Sequence, residues 1–319
     1  MPTLLEELKR YSVVVADTGD LDSIKRFSPE DATTNPSLIL QAVSSGKYDA
    51  VIKQILSEAK KGADKTLDEL CDRLIVAMGR EILERIPGRV STEVNARLSF
   101  DTEASVDKAR GLIRLYEEAG VDRSRVLIKL AATWEGIKAA EVLEREGIGC
   151  NLTLIFSFAQ ARACAEAGVW LISPFVGRIL DWHRKNEPDV RYEPDREPGV
   201  ISVRKIYEYF REHNYPTIVM GASFRNIGEI TALCGCDRLT ISPALLEQLS
   251  ATDGVLSPIQ VNSPTPPLIP AEPLGESEFR WLMNEDAMAT EKLAEGIRGF
   301  EADQLKLEAL LLDRLQGLS

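Results

Sequence analysis

The chain has 319 residues, of which 44% are hydrophobic and 28% charged, the proportions of an ordinary soluble globular protein. A net charge of −12 argues against non-specific binding to nucleic acid, and no run of 18 apolar residues predicts a transmembrane helix. Five cysteines without a CxxC pair, and an N-terminus without a signal-peptide pattern, indicate reduced thiols. We therefore expect a cytoplasmic protein without nucleic-acid or membrane partners.

Short apolar segments that predict β-strands recur along the chain, and each is followed by the spacing of an amphipathic helix. The predicted strands are residues 13–17, 31–36, 89–95, 125–130, 147–155, 170–177, 217–223 and 238–242. The predicted helices are residues 38–60, 67–86, 104–119, 134–143, 156–167, 203–212, 226–233 and 244–249. Such alternation predicts a parallel sheet, and eight units predict an α/β protein with a closed (β/α)8 TIM barrel.

Three segments fall outside the eight-unit pattern. Residues 178–200 are rich in charged side chains and predict a long surface loop. Residues 252–273 contain six prolines and predict an extended segment on the surface. Two further helices, about 276–294 and 297–315, are expected to cover the barrel, to supply a dimer face, or to do both. We interpret residues 1–319 as a single domain, with an N-terminal helix and the helices of about 276–315 packed on the barrel.

The strand around Lys129 carries the main functional signal. Residues 126–130 are four apolar residues and one lysine, which is the pattern of a strand buried on both faces. A lysine at such a place either extends to the surface or pairs with a carboxylate. The alternative is an amine whose pKa is lowered by burial, so that it attacks a carbonyl carbon. The strand alone leaves both interpretations open.

Polar residues share one face on six predicted strands, because side chains two residues apart point the same way. They are Asp17, then Thr33 and Asn35, then Glu93, Lys129, then Asn151 and Thr153, and finally Ser173 beside Phe175. We expect these faces to meet around the lysine, since a barrel has one interior and carries its chemistry at the carboxyl ends of the strands. Taken singly, several of these residues have a structural alternative. Asp17 and Asn35 fit a cap or a turn, and Glu93 fits an ion pair with Lys129. Asn151, Thr153 and Ser173 fit core positions whose hydrogen bonds are satisfied.

Two arginines follow predicted strands. Arg178 comes after a Phe-Val-Gly sequence, and Arg225 lies in residues 221–226, where a strand ends and a helix begins. An arginine beside a glycine-containing turn and a helix N-terminus is typical of a phosphate site, and the alternative is a surface salt bridge. No dinucleotide, nucleotide or zinc-protease motif occurs, and no His or Cys cluster has ligand spacing, so we expect no cofactor and no metal.

The motifs together closely resemble the transaldolase family. The matching segments are residues 15–20 (VADTGD), 31–38 (DATTNPSL), 91–94 (STEV), 128–136 (IKLAATWEG), 150–154 (CNLTL), 173–178 (SPFVGR) and 221–225 (GASFR). The resemblance implies an enzyme of the pentose phosphate pathway that acts on sugar phosphates. It would move a dihydroxyacetone unit from sedoheptulose 7-phosphate or fructose 6-phosphate to glyceraldehyde 3-phosphate or erythrose 4-phosphate. We also expect a homodimer.

The resemblance further implies a role for each site residue. Lys129 would form a Schiff base with the ketose, Glu93 would move protons through a bound water, and Asp17 would exchange a proton as the carbon–carbon bond breaks and forms. Asn35 and Asn151 would hold donor hydroxyl groups. The full set of expected substrate-binding residues is Thr33, Asn35, Asn151, Thr153, Ser173, Phe175, Arg178, Ser223 and Arg225, with the two arginines on the phosphate.

Two other functions remain open at this point. A class I aldolase of the short-chain fructose 6-phosphate aldolase group resembles the same fold. Those relatives carry Gln where Glu93 stands and Tyr where Phe175 stands, which argues against them. A barrel that binds sugar phosphates without catalysis would not need a buried lysine.

Overall fold

The computed structural model describes residues 1–61, 66–261, 263–270 and 272–317. Within these ranges, eight parallel strands pair in chain order and close into a barrel. The strands are β1 Val13–Asp17, β2 Asp31–Thr33, β3 Val90–Glu93, β4 Val126–Ala131, β5 Cys150–Ile155, β6 Leu171–Pro174, β7 Ile218–Gly221 and β8 Arg238–Ile241. The predicted (β/α)8 barrel is therefore confirmed.

Helices follow the strands and surround the barrel. They are α1 Leu4–Tyr11, α2 Leu21–Phe27, α3 Pro36–Ser44, α4 Asp49–Lys61, α5 Leu67–Leu83, α6 Thr102–Glu118, α7 Trp134–Arg145, α8 Phe158–Glu166, α9 Gly177–Asn186, α10 Pro198–Glu212, α11 Ile227–Ala232, α12 Pro243–Ala251, α13 Glu276–Glu285 and α14 Ala287–Gly317. Short 3-10 turns cover Ala96–Phe100, Arg123–Arg125 and Pro194–Arg196. None of the helices in the described ranges is long and apolar enough to cross a membrane.

N-cap side chains fix the turns at the carboxyl ends of the strands. Asn35, Thr133 and Asn226 each accept a hydrogen bond from the backbone N–H three residues further on. Each cap satisfies a helix N–H group that would otherwise lack a partner, which is worth about 1 kcal/mol. The loops after β2, β4 and β7 therefore enter their helices at defined positions, and these loops surround the mouth of the barrel.

Apolar side chains fill the lower part of the barrel. Val15, Leu127, Leu171 and Met220 pack together inside it and are almost completely buried. The opposite faces of the strands contribute to a larger core with the surrounding helices. Since the floor is closed by these four side chains, the polar residues further along the same strands lie above it, toward the carboxyl ends.

The structure corrects several predicted boundaries. The helix predicted over residues 38–60 is two helices, α3 and α4, because the chain turns between them and Gly46 has a φ of +79°. The strand predicted over residues 31–36 ends at Thr33, since Asn35 already caps α3. Helix α2 was not predicted. The two C-terminal helices meet at Asp286 and not near residue 295.

The prediction of a surface loop over residues 178–200 is wrong for both ends of that segment. Residues 177–186 form helix α9 and α10 begins at Pro198, whereas residues 187–196 are a mostly exposed loop with a 3-10 turn at Pro194–Arg196. The charged residues of 178–186 resembled a solvated loop, but they lie on a helix whose buried side contains Ile179 and Leu180. Residues 252–273 have little regular structure, as predicted; within that segment residues 262 and 271 lie outside the described ranges.

Helix α14 covers the mouth of the barrel. Phe300 of this helix is buried, and Gly296 lies so close to Leu154 of β5 that an added Cβ would be 2.6 Å from the leucine Cδ2. Further along, Leu307 and Leu311 pack with α3, α4 and α5 in a second hydrophobic cluster. Helix α14 therefore lies against the barrel and the helices around it.

Candidate active site

Lys129 lies inside the barrel and does not reach solvent. Lys129 stands on β4, in register with Glu93 of β3 and Asn151 of β5, and it is 4% exposed. The amine Nζ is 3.1 Å from Glu93 Oε2 and donates a hydrogen bond to the backbone carbonyl of Thr34 at 3.3 Å. Of the structural alternatives, the surface lysine is excluded and the ion pair with Glu93 is present.

Asp17 lies at the carboxyl end of β1, where β2 and β8 flank it. Its Oδ1 accepts a hydrogen bond from Thr33 Oγ1 at 2.9 Å, and Thr33 Oγ1 is 2.7 Å from Thr240 Oγ1. Thr240 was not predicted as a site residue. The signal was present, because Thr240 alternates with its neighbours along β8 as the other inward polar residues do on their strands.

The two carboxyl groups beside the lysine have altered acidity. Burial raises the pKa of Asp17 and of Glu93 above the ordinary carboxyl values, although the positive charge of Lys129 opposes the rise in both. A raised pKa brings the titration of a carboxyl group closer to neutral pH, where an acid–base group transfers protons most efficiently. The pair therefore has the properties of proton-transfer groups.

A hydrogen-bonded row of small polar side chains crosses the same level of the barrel. Ser173 Oγ donates to Asn151 Oδ1 at 2.5 Å, and Asn151 Nδ2 donates to Ser91 Oγ at 3.0 Å. One neighbouring oxygen lacks such a partner: Thr153 Oγ1 is buried without a hydrogen bond from any described group, whereas Glu93 Oε2 contacts the amine of Lys129. Because buried polar atoms are normally satisfied, the Thr153 hydroxyl points to a place for a water or a substrate atom.

A cavity of about 50 Å³ lies among these groups. Its lining residues are Asp17, Thr33, Asn35, Lys129, Thr153, Ser173, Phe175, Arg178, Ala222, Ser223 and Thr240. The enclosed space is smaller than a typical ligand pocket of about 300–1,000 Å³. A neighbouring open cavity of about 500 Å³ shares Asp17 with it.

Aromatic rings close the space above the lysine. Phe300 of α14 is 3% exposed, and its ring centroid is 5.8 Å from Lys129 Nζ and 5.6 Å from the guanidinium carbon of Arg178. Phe175 lies 5.0 Å from the same guanidinium carbon and packs edge-on against Phe156. Phe300 was not predicted as a site residue, because nothing in the spacing of a C-terminal helix indicates which side chain reaches the barrel.

Arg178 is a partly buried cation at the beginning of α9. Burial lowers the pKa of its guanidinium, and the nearby charge of Arg225 lowers it further. Two guanidinium groups that repel each other in a partly desolvated place favour the binding of an anion between them.

Arg225 belongs to a tight turn after β7, residues 223–226, which we call the arginine loop. Its side chain forms an ion pair with Asp181 of α9, with an Nη2–Oδ2 distance of 2.7 Å, so the salt-bridge alternative holds for this arginine. Ser223 has a φ of +59°, an unusual conformation for a residue with a side chain. The loop approaches Gly177 so closely that a Cβ there would be 2.5 Å from the Ser223 carbonyl oxygen.

Comparison with known proteins places the chain in a family. The family model for transaldolase/fructose-6-phosphate aldolase matches residues 14–311. A protein named transaldolase from Alteromonas mediterranea is 60% identical over 99% of this chain and 100% of its own length. Transaldolases from Methylobacillus flagellatus and Pseudoalteromonas atlantica are 59% and 58% identical over 99% and 98% of the chain, and over 100% and 99% of their own lengths.

The chain belongs to the transaldolase/fructose-6-phosphate aldolase family. The resemblance that the motifs indicated is thus confirmed along nearly the whole chain. The match includes β1 to β8 and most of α14, and therefore every element that supplies a residue to the site.

The structure of this family member brings the predicted site residues to one end of the barrel. All but Glu93, Asn151 and Arg225 line the cavity of about 50 Å³; Glu93 is the ion-pair partner of Lys129, Asn151 bonds to Ser173, and Arg225 adjoins Ser223. Asn35 has two positions' worth of contacts: it lines the cavity, as predicted, and its side chain also caps helix α3. In the described part of the chain, no group of three or more His, Cys, Asp or Glu side chains is arranged to hold a metal ion.

Proposed function

We propose that the chain is a transaldolase that moves a three-carbon dihydroxyacetone unit from a ketose phosphate to an aldose phosphate. The donors are sedoheptulose 7-phosphate and fructose 6-phosphate, and the acceptors are glyceraldehyde 3-phosphate and erythrose 4-phosphate, as in the pentose phosphate pathway. One observation carries the mechanism: an amine, Lys129, is buried 3.1 Å from a carboxylate inside a closed barrel. Full-length similarity to proteins named transaldolase supports the class of reaction.

The first part of the reaction joins the ketose to Lys129. The amine attacks the ketose carbonyl, and loss of water from the carbinolamine gives a protonated imine. Glu93 has a raised pKa, and Thr153 Oγ1 is buried without a hydrogen-bond partner, so a water held between these two side chains can move the protons that this step requires. The protonated imine then accepts the electron pair released by carbon–carbon cleavage, which is why the mechanism needs no metal.

Asp17 supports the second part of the reaction. As the carbon–carbon bond breaks, the hydroxyl group on the departing aldose loses a proton, and Asp17 is the other buried carboxylate at the cavity. Its raised pKa lets it take that proton and later return it to the acceptor. The hydrogen bond from Thr33 Oγ1 fixes the orientation of the carboxylate.

Amide and arginine side chains complete the proposed substrate site. Asn35 and the bonded pair of Asn151 and Ser173 offer donors and acceptors to the hydroxyl groups of the three-carbon unit. Arg178 and Arg225 are the cations on the side of the arginine loop, so the phosphate binds there, with Ser223 beside it.

Removal of either arginine should weaken binding of phosphorylated substrates selectively. We expect Arg178→Ala and Arg225→Ala to raise KM for fructose 6-phosphate about tenfold to 150-fold, because each loses a charge-assisted contact of roughly 1.5–3 kcal/mol. Turnover of unphosphorylated fructose should change far less. Arg184→Ala is the matched control, since Arg184 is an exposed residue of the same helix.

The ion pair with Asp181 separates the phosphate role from an architectural one. Asp181→Asn breaks the same salt bridge as Arg225→Ala but leaves the guanidinium in place. We expect this variant to keep a KM for fructose 6-phosphate near the wild-type value. A KM raised equally by Asp181→Asn and Arg225→Ala, on both classes of substrate, would mean that Arg225 serves only the fold.

Acceptor dependence is the experiment that tests the proposed reaction. After cleavage the three-carbon enamine remains bonded to Lys129, and its release as free dihydroxyacetone requires a proton on carbon. Phe175 offers no proton there and limits access of water. Fructose 6-phosphate alone should therefore yield at most about one equivalent of glyceraldehyde 3-phosphate per site in a burst.

Adding erythrose 4-phosphate should restart turnover and produce sedoheptulose 7-phosphate. Steady release of free dihydroxyacetone at a comparable rate without acceptor would instead assign the chain to the aldolase branch of the family. Glu93 and Phe175 support the transaldolase branch, because the short-chain aldolases carry Gln and Tyr at these places.

Assembly, location and domain organisation complete the proposal. We infer a homodimer, supported by exposed apolar side chains on the C-terminal helices, such as Trp281 and Leu312.

A cytoplasmic location is supported by five cysteines that are all free thiols. A single domain is supported by one apolar core that extends from Leu5 of α1 to Phe300 of α14. Light scattering of the purified protein measures the mass of the assembly directly.

A further inference from the structure

Two buried carboxyl groups lie directly behind the arginine loop, and the mechanism above uses neither. Glu229 of α11 is fully buried, and Glu197, which precedes α10, is 3% exposed. Their carboxyl groups are neighbours, because Asn226 contacts both residues and the charge of Glu197 raises the pKa of Glu229. Acidic side chains are almost never buried as a pair without a specific role or compensation.

Both carboxyl groups hold the backbone of the arginine loop. Glu229 Oε2 accepts a hydrogen bond from the backbone N–H of Arg225 at 2.6 Å. Asn226 Nδ2 donates to Glu197 Oε1 at 3.4 Å, and Asn226 Oδ1 accepts from the Glu229 backbone N–H at 2.9 Å. The position of Arg225 therefore depends directly on this pair.

One oxygen of each carboxyl group lacks a partner if both groups are ionised. These oxygens, Glu229 Oε1 and Glu197 Oε2, are fully buried. Ionised carboxylates only accept hydrogen bonds, so a single shared proton is the simplest way to satisfy both oxygens at once. The pKa of Glu229 is raised to about 7: burial is the largest cause, the hydrogen bond from the Arg225 backbone opposes the rise, and Glu197 adds to it.

We propose that Glu197 and Glu229 are positioning residues that share one proton and thereby hold Arg225 where it grips the substrate phosphate. The proposal rests on the proposed phosphate role of Arg225. With the proton bound, the pair carries one negative charge and fixes the loop. Without the proton, two buried carboxylates repel each other, and a second negative charge lies behind the arginine.

The raised pKa of Glu229 fixes the direction of the effect. A group whose pKa is raised in the folded protein stabilises that state below its ordinary pKa, and the stabilisation is lost as pH rises through the raised value. The protonated pair therefore fixes the position of Arg225 in mild acid, and this restraint weakens above about pH 7. By linkage, a bound anion favours the protonated pair, so anion and proton increase each other's affinity.

Other charged groups surround α11 but do not bond to the Glu229 carboxyl group. The neighbouring 3-10 turn carries Asp195 and Arg196, and α12 carries Glu247. Arg204 of α10 donates to the carbonyl of Ala232 at the end of α11, and the Arg225 side chain pairs with Asp181. Among the side chains that the structure describes, the charge of Glu197 is the one that raises the pKa of Glu229.

Sulfate inhibition tests the proposal. Sulfate resembles a phosphate dianion but does not titrate between about pH 6 and pH 8.5, so its inhibition constant against fructose 6-phosphate reports on the protein alone. In the wild type we expect this constant to rise roughly threefold to tenfold across that range, as one unit charge appears behind the arginine. In Glu197→Gln an amide N–H replaces the shared proton, so the constant should stay nearly flat. An equal rise in both proteins would overturn the proposal.

Two further measurements keep the test decisive. If Glu197→Gln does not fold, Glu229→Gln makes the same replacement and still accepts from the Arg225 N–H, and it too should be flat. Calorimetry of sulfate binding to the wild type near pH 7.5, in buffers of different ionisation enthalpy, should detect proton uptake; its absence contradicts the proposal. Arg225→Ala separates the two claims. If the sulfate inhibition constant of Arg225→Ala equals that of the wild type, the phosphate role of Arg225 is refuted. If that constant is raised in Arg225→Ala, but the inhibition constant of Glu197→Gln still rises with pH, only the shared proton is refuted.

Discussion

Replacement of Lys129 by methionine is expected to abolish turnover while the barrel remains folded. Methionine fills a similar volume among the apolar neighbours of β4, but it has no amine to form the imine. Without a covalent intermediate the enzyme loses its electron sink, so kcat/KM for fructose 6-phosphate with erythrose 4-phosphate should fall by on the order of 10⁴-fold or more. Binding of fructose 6-phosphate, measured by calorimetry, should persist.

Lys138→Met is the matched control for this variant. Lys138 lies on α7, is partly exposed and pairs with Glu141 away from the barrel interior, so its loss should leave kcat/KM within about twofold of the wild-type value. Lys129→Met also leaves Glu93 without its ion-pair partner, and the already raised pKa of Glu93 should rise further. Because a raised pKa makes stability fall as pH rises, the Tm of Lys129→Met should drop more than that of wild type between about pH 5 and pH 8. Near-normal turnover in Lys129→Met would refute its covalent role.

Replacement of Asp17 by asparagine should block carbon–carbon cleavage but not imine formation. The amide oxygen can still accept the hydrogen bond from Thr33, so the geometry is kept, but an amide cannot take up the hydroxyl proton. We expect kcat to fall roughly 10²- to 10⁴-fold, which is the usual contribution of a general base. Borohydride should still reduce an imine on Lys129, and with fructose 6-phosphate the trapped adduct should keep all six carbons.

Asp20→Asn provides the control for this second variant. Asp20 is the N-cap of α2, three residues after Asp17, and asparagine is an equally good cap, so activity should be close to the wild-type value. A three-carbon adduct formed by Asp17→Asn as fast as by the wild type would mean that another group accepts the proton.

The barrel and most of its site were predictable because period-two alternation specifies strand faces. Polar residues such as Lys129, Asn151 and Ser173 stand on faces that cannot point toward the apolar helices, so they had to meet inside. The same rule applied to β8 would have found Thr240. The strands were predictable without an alignment because each is a short apolar segment bounded by turn residues.

The remaining features depend on contacts between distant segments, which local patterns do not contain. Helix α9 was predicted as a loop because its exposed side is highly charged, and only the buried Ile179 and Leu180 hold it as a helix. Phe300 reaches the site because α14 crosses the barrel mouth, a path that its sequence does not specify. Glu197 and Glu229 are far apart in the sequence, and they become neighbours only when α10 and α11 pack against the barrel.

Borohydride trapping tests the central claim most directly. The wild-type protein is incubated with fructose 6-phosphate and sodium borohydride, digested, and mapped by mass spectrometry, with Lys129→Met treated in parallel. The Schiff-base mechanism predicts a reduced three-carbon adduct on the peptide that contains Lys129, together with loss of activity, and no adduct in the variant. An adduct on a different lysine, or full activity after treatment without any adduct, would contradict it.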